Sequence, residues 1–296
     1  MKRTVSISSW LPLLSVWVLL ASTSSCSFRR ITKSKDIVYR EANLTTNTGP
    51  QHLNVFAPRK TTEPPPVLLF IHGGSWRSGR KELYSFFGKR LARKGITAVI
   101  IDYPLSPQAQ YDEMAAAAAQ AVQWAQQCIG QYGGDSSKIF VSGHSAGGHL
   151  AALITTRNEC FDTLGMVNPV QGAILIDAAG LDMYGYLKEH EDDEHRKYLN
   201  TFTNDPANWK EATPLCYLHH GMPPLLIYQG EKTYPSIIKS TTTFIDALKE
   251  YVPDPNYYVL KRKRHIPMIT QFLFPWDAQY REIIQFMQGA KTKAGR

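Results

Sequence analysis

The stretch Gly143-His144-Ser145-Ala146-Gly147 constrains this chain more than any other. It follows the apolar run Ile139-Phe140-Val141-Ser142 and precedes a helix-compatible segment over 146–156. A G-x-S-x-G sequence is common by chance, but between a strand and a helix it forms a sharp turn that holds the serine in a strained backbone conformation. Gly143 and Gly147 are needed there because strand and helix cross too closely for side chains. The Ser145 hydroxyl then projects from the sheet edge as a candidate nucleophile. The helix start behind it supplies unpaired N–H groups and partial positive charge for a developing oxyanion, with Ala146 giving one backbone donor.

The surrounding pattern supplies the sheet this turn requires. Short β-branched runs alternate with helical stretches, as in a parallel sheet covered on both faces. The spacing predicts strands at Val67–Ile71, Ile96–Tyr103, Ile139–Ser142, Ala173–Ile176, Leu225–Tyr228 and Tyr257–Leu260. Runs near Ile37-Val38-Tyr39 and Leu53–Phe56 predict a leading antiparallel hairpin. Helices are expected over Tyr84–Lys94, ended by Gly95, and over Glu113–Cys128, where consecutive alanines favour close packing on the sheet.

A second glycine-bearing loop, His72-Gly73-Gly74-Ser75-Trp76, sits at the end of the Val67–Ile71 strand. An oxyanion hole needs at least two backbone donors, and Gly73 or Gly74 can approach because no Cβ obstructs them. A phosphate-cradling role is disfavoured: the run lacks the lysine of a P-loop and the G-x-G-x-x-G spacing.

With these motifs the chain resembles the α/β-hydrolase superfamily, within it the esterase/lipase group with an HGG oxyanion loop. Asn54–Pro58, Asp102–Pro107, Gly133-Gly134-Asp135, Gly143–Leu150 and Pro223–Leu226 fall in the family's order. Ser75-Trp76 is similar to feruloyl-esterase-like and kynurenine-formamidase-like members. The resemblance implies an α/β-hydrolase fold, a mostly parallel central sheet with helices on both faces and a small helical cap. It also implies hydrolysis of carboxylic esters through an acyl-enzyme, on a small-molecule substrate, with no cofactor and no metal. An amidase or arylformamidase of the same fold is the alternative, as is a weakly active or non-catalytic binding protein.

Superfamily order places the triad as Ser, acid, His. His265, in His265-Ile266-Pro267-Met268-Ile269 after the last strand, is the expected base. The acid departs from the family pattern. Relatives carry Asp three residues after the glycine ending the penultimate strand, whereas here Gly230-Glu231-Lys232-Thr233 puts Thr233 in that seat. Glu231 is the first candidate, although it lies up to ~7 Å short along an extended chain. Asp182, after the preceding strand, is the second, because adjacent strands lie only about 4.8 Å apart. Absence of any acid is the third reading.

The segment about 183–218 is long for a connection and is expected to fold as a cap. Its His190–His195 run reads as a solvated helix face, since histidines five apart do not share a face as i, i+4 metal ligands do.

Lys2-Arg3, the apolar run Trp10–Ala21 and the small residues before Cys26 read as an export signal over 1–25, leaving 26–296 as one domain. At about 12 residues the run is shorter than the ~20 of a membrane span. Cys26 resembles a lipoprotein attachment site, with cleavage and release as the rival, so the destination is periplasmic, membrane-anchored or secreted. The charge of +8, from 33 basic and 25 acidic residues, is spread along the chain. Lys261–Arg264 is the one tight cluster and has no interleaved aromatics, which speaks against nucleic-acid binding. Cys128, Cys160 and Cys216 allow at most one disulfide, so no bridge framework supports the fold. The oligomeric state is left open by the sequence.

Overall fold

The computed structural model describes residues 30–43, 47–190 and 196–289. The expected export signal, Cys26, and residues 191–195 of the His190–His195 run lie outside the described residues.

Eight strands form one sheet: β1 (Ile31–Arg40), β2 (Gln51–Pro58), β3 (Val67–Ile71), β4 (Thr97–Ile101), β5 (Ile139–His144), β6 (Val170–Ile176), β7 (Leu225–Gly230) and β8 (Asn256–Leu260). Their order is β1-β2-β4-β3-β5-β6-β7-β8. The pairs β1–β2 and β2–β4 are antiparallel and all others parallel. Every residue of β3, β4 and β5 is buried, which is why these strands read as unbroken apolar runs rather than alternating ones.

The period of two still sorts side chains between the faces. Val67, Leu69 and Ile71 enter one core, Leu68 and Phe70 the other. The first core takes α2 (Tyr111–Cys128), α3 (Ala146–Thr156) and α8 (Pro235–Leu248); the second takes α1 (Ser85–Arg93), α9 (His265–Thr270) and α10 (Gln279–Met287). The alanines of α2 are buried almost without exception, so small side chains bring this helix close to the sheet.

Between β6 and β7 the chain forms α5 (Met183–Glu189), α6 (Arg196–Phe202) and α7 (Pro206–Glu211), following the short α4 (Glu159–Asp162). The start of α7 is set locally. Asp205 accepts a hydrogen bond from the Ala207 amide at 2.9 Å, and Pro206 occupies the first turn, where no N–H is needed. Met183, Leu187, Phe202 and Trp209 pack these helices onto the α3 side of the core.

Candidate active site

Ser145 sits between β5 and α3 with φ 56° and ψ −121°, a conformation that costs a non-glycine residue energy. The two flanking glycines make it reachable. A Cβ on Gly143 would lie 2.1 Å from the Gly147 carbonyl oxygen, and one on Gly147 2.1 Å from that of Ile71. The turn is pinned to the next strand by the Ser145 amide, which donates to the Ile176 carbonyl at 3.2 Å.

His265 opens α9 immediately after the 261–264 turn, most of which is exposed. Its Nε2 lies 2.9 Å from Ser145 Oγ and its Nδ1 2.6 Å from Asp177 Oδ2. A carboxylate facing Nδ1 assigns the proton to that nitrogen and leaves the Nε2 lone pair for the serine hydroxyl. The sequence-expected pairing of Ser145 with His265 is therefore present.

The acid is a correction. Glu231 is exposed and turned toward the basic loop, where Oε2 accepts from the Arg262 amide at 2.7 Å. Asp182 caps α5, accepting from the Gly185 amide at 2.9 Å. Neither faces His265; Asp177 does. It follows β6 directly, is 1% exposed, and has a left-handed φ of 48°. Parallel register pairs His144 with Ile176 and Ile176 with Tyr228, so Asp177 emerges beside Ser145 on the neighbouring strand and beside the end of β7. There Gly230 N–H donates to Oδ1 at 2.8 Å and the Thr233 hydroxyl donates to Oδ2. The missed signal was Ile174-Leu175-Ile176-Asp177, an acidic residue at the C-terminal end of a buried strand. Inter-strand proximity, invoked for Asp182, applies five residues earlier.

The HGG loop meets the serine turn. A Cβ on Gly73 would lie 2.8 Å from the His144 carbonyl oxygen and 3.2 Å from Ser145 Cβ. Gly74 has φ +133°, and its carbonyl accepts from the Arg77 and Ser78 amides at 3.1 and 3.0 Å. Gly73 and Gly74 line the same cleft as Ser145 and His265. Ala146 is the first residue of α3, where an amide has no intrahelical acceptor.

A charge cluster centred on the buried Lys81 lies near this loop, with Asp102 3.9 Å from His72 Nε2. Lys81, 5% exposed, reaches Asp102, Asp36 and Glu82 at 2.9, 3.1 and 2.8 Å. Burial pulls its ammonium down, and the hydrogen bonds to Glu82, Asp102 and Asp36 overcome this and hold it above the usual lysine range. Next along the chain, the Tyr103 hydroxyl donates to the His72 carbonyl at 3.0 Å.

The other histidines near the turn have separate roles. His149 Nε2–H faces the Ala212 carbonyl at 2.7 Å while Nδ1 accepts from the Trp76 indole at 3.3 Å. Burial lowers its pKa to about 4. His144 lies against His265, ring centroids 4.6 Å apart, with Nε2 3.2 Å from the His265 carbonyl. Burial first, and the charge His265 can carry second, push His144 down to about 3. His219 and His220 lie before β7, away from the cleft lining.

Known proteins are similar to this chain in sequence and in fold. Residues 53–246, more than half of the chain, match the profile of the BD-FAE family. A probable isoprenylcysteine alpha-carbonyl methylesterase of Arabidopsis thaliana, ICMEL1, is 36% identical over 233 residues, covering 74% of this chain and 49% of its own. The kynurenine formamidase of Salmo salar is 28% identical over 165 residues, 56% of this chain and 50% of its own. The chain thus spans about half the length of these curated relatives. Among solved structures, inhibited esterase B from Lactobacillus rhamnosis superposes with a TM-score of 0.71 at 19% identity, over 88% of this chain and 87% of its own. Sequence match and shared architecture agree on one assignment: the chain belongs to the BD-FAE family, in the esterase/lipase group of the α/β-hydrolases.

Proposed function

We propose that this protein is a serine carboxylesterase in which Ser145 attacks the ester carbonyl, His265 is the general base and Asp177 is the acid. One observation carries the reading: a continuous hydrogen-bonded path runs from Ser145 Oγ through His265 to Asp177, at 2.9 and 2.6 Å. His265 takes the serine proton as the Oγ–carbon bond forms, then gives it to the departing alkoxide, leaving an acyl-serine. Water attacks that ester with His265 again as base, and the acid is released. Asp177 holds the imidazole in the tautomer that keeps Nε2 free and stabilises the imidazolium. Ala146 and the Gly73–Gly74 loop are the donors proposed for the oxyanion.

The test is hydrolysis of p-nitrophenyl acetate and butyrate, with N-formylkynurenine assayed in parallel and active-site labelling by a fluorophosphonate. Ser145→Ala should abolish turnover and labelling. Wild-type turnover no higher than the variant's removes the proposal, and turnover of the formamide alone makes the enzyme an amidase. Export through residues 1–25 belongs to the same proposal; a mature chain from the native host that retains Met1 would refute it.

A further inference from the structure

The nucleophile and its base arrive on strands that differ in how firmly they are held. Ser145 follows β5, which lies inside the sheet between β3 and β6 and is buried along its whole length. His265 follows β8, which pairs only with β7 at the edge of the sheet and is at most half-buried. The turn over 261–264 separates it from that strand, and α9 behind it spans only six residues, His265–Thr270, with Pro267 among them. So short a helix closes few hydrogen bonds of its own and does not fix its first residue unaided.

One contact joins the two strands at the site. His144, the last residue of β5 and the chain neighbour of Ser145, places Nε2 3.2 Å from the His265 main-chain carbonyl oxygen. Its ring also lies against the His265 ring, with centroids 4.6 Å apart. A carbonyl oxygen only accepts, so Nε2 carries the hydrogen and Nδ1 keeps a lone pair. That lone pair is buried and meets no donor among the described residues. Gly73 lies beside it: a Cβ there would be 3.1 Å from Nδ1. An unpaired buried acceptor destabilises the fold, so Nδ1 gives no reason for a histidine at this position, whereas the Nε2–H does. His144 is not a second base, because burial and the charge His265 can carry keep it neutral. The proton taken from Ser145 therefore stays on His265, whose Nδ1 faces Asp177.

We infer that His144 is a positioning residue for the general base: its Nε2–H grips the His265 carbonyl and fastens a base carried in from the sheet's edge to the residue next to the nucleophile. The inference rests on the esterase reading above and deepens it. Because the grip is on the main chain of the base, its loss should appear in kcat and leave KM nearly unchanged.

The experiment compares variants at position 144 in the full chain, with p-nitrophenyl butyrate as substrate. His144→Gln carries an amide N–H at the same bond separation from Cβ as Nε2, His144→Asn carries it one bond nearer the main chain, and His144→Phe keeps a ring without a donor. A misplacement of about 1 Å can cost about 100-fold, so His144→Phe and His144→Asn should lower kcat about 10- to 100-fold with KM within about threefold of wild type. His144→Gln should recover kcat to within about fivefold of wild type. Fluorophosphonate labelling rates, which report how far Ser145 is activated, should fall in the same order. A general loss of packing would affect both amides alike, so rescue by Gln over Asn reads the reach of the donor, and this pair decides the matter should His144→Phe fail to fold. Wild-type kcat in His144→Asn, His144→Gln no better than His144→Asn, or a raised KM with kcat unchanged overturns the positioning role while the esterase reading stands. Wild-type protein that neither hydrolyses the ester nor takes the label overturns both.

Discussion

Thr233 donates its hydroxyl hydrogen to Oδ2 of Asp177, the same carboxylate oxygen that faces His265 Nδ1. The residue in the usual acid's place in the turn after β7 thus hydrogen-bonds to the acid that directly follows β6. The carboxylate has moved one strand over while its oxygens stay at the histidine. With Gly230 N–H on Oδ1, both oxygens of the buried Asp177 carboxylate have hydrogen-bond partners, which offsets the cost of taking it out of water.

Removing that charge should reproduce the loss seen when a triad acid is neutralised. Asp177→Asn is expected to lower kcat about 10⁴-fold. Glu231→Gln and Asp182→Asn should remain within about threefold of wild type, because neither touches the base, any residual effect following ordinary surface or capping changes. Steady-state kinetics on one p-nitrophenyl ester separates the three.

Thr233→Val keeps the shape and removes the donor. A hydrogen bond to a charged group contributes about 1.5–3 kcal/mol, and part of that stabilises the carboxylate equally before and during reaction. The expected result is a fall in kcat of about tenfold with KM nearly unchanged. A variant with wild-type kcat would mean that Gly230 N–H alone orients Asp177.

Glycine at position 147 is a steric requirement. An added Cβ would sit 2.1 Å from the Ile71 backbone oxygen, which cannot rotate away. Gly147→Ala should cost about 3 kcal/mol or more, read as a lowered urea midpoint. Gly130→Ala is the matched control: nothing lies within 4 Å of its Cβ position, so this change should be neutral or slightly stabilising.

The buried histidines predict acid sensitivity. His144 and His149 have pKa values lowered to about 3 and about 4 by burial, against 6.5 when unfolded. Between those limits the unfolded chain binds more protons than the folded one, so stability is full above pH ~6.5, falls as pH drops and levels off below the folded values. The two together should remove on the order of a few kcal/mol between pH ~7 and pH ~4.5. His149→Gln should flatten that slope in urea titrations at successive pH values; an unchanged slope would assign the acid sensitivity to other groups.

Much of the site was legible because its constraints are local. The α3 helix spans Ala146–Thr156 as its sequence indicates, and β3 spans Val67–Ile71, since unbroken apolar runs and paired glycines reflect requirements within a few residues. The hairpin of β1 and β2 is present, but longer than the runs at 37–39 and 53–56 suggest. Exposed residues of β1 are held by backbone pairing, which leaves little trace in hydropathy.

Ser145 at a forced bend, a glycine loop beside it and a histidine beyond the last strand are properties of the chain as written, because each depends on sterics and periodicity inside one short segment. The acid is not, and neither is the pocket beside the site. Asp177, Thr233 and His265 meet only because β6, β7 and β8 lie side by side in parallel register. Trp76, Met183 and Tyr198 close a pocket only because the helices between β6 and β7 fold back over the oxyanion loop. Side-chain distances across strands depend on register and helix packing, which no single segment encodes.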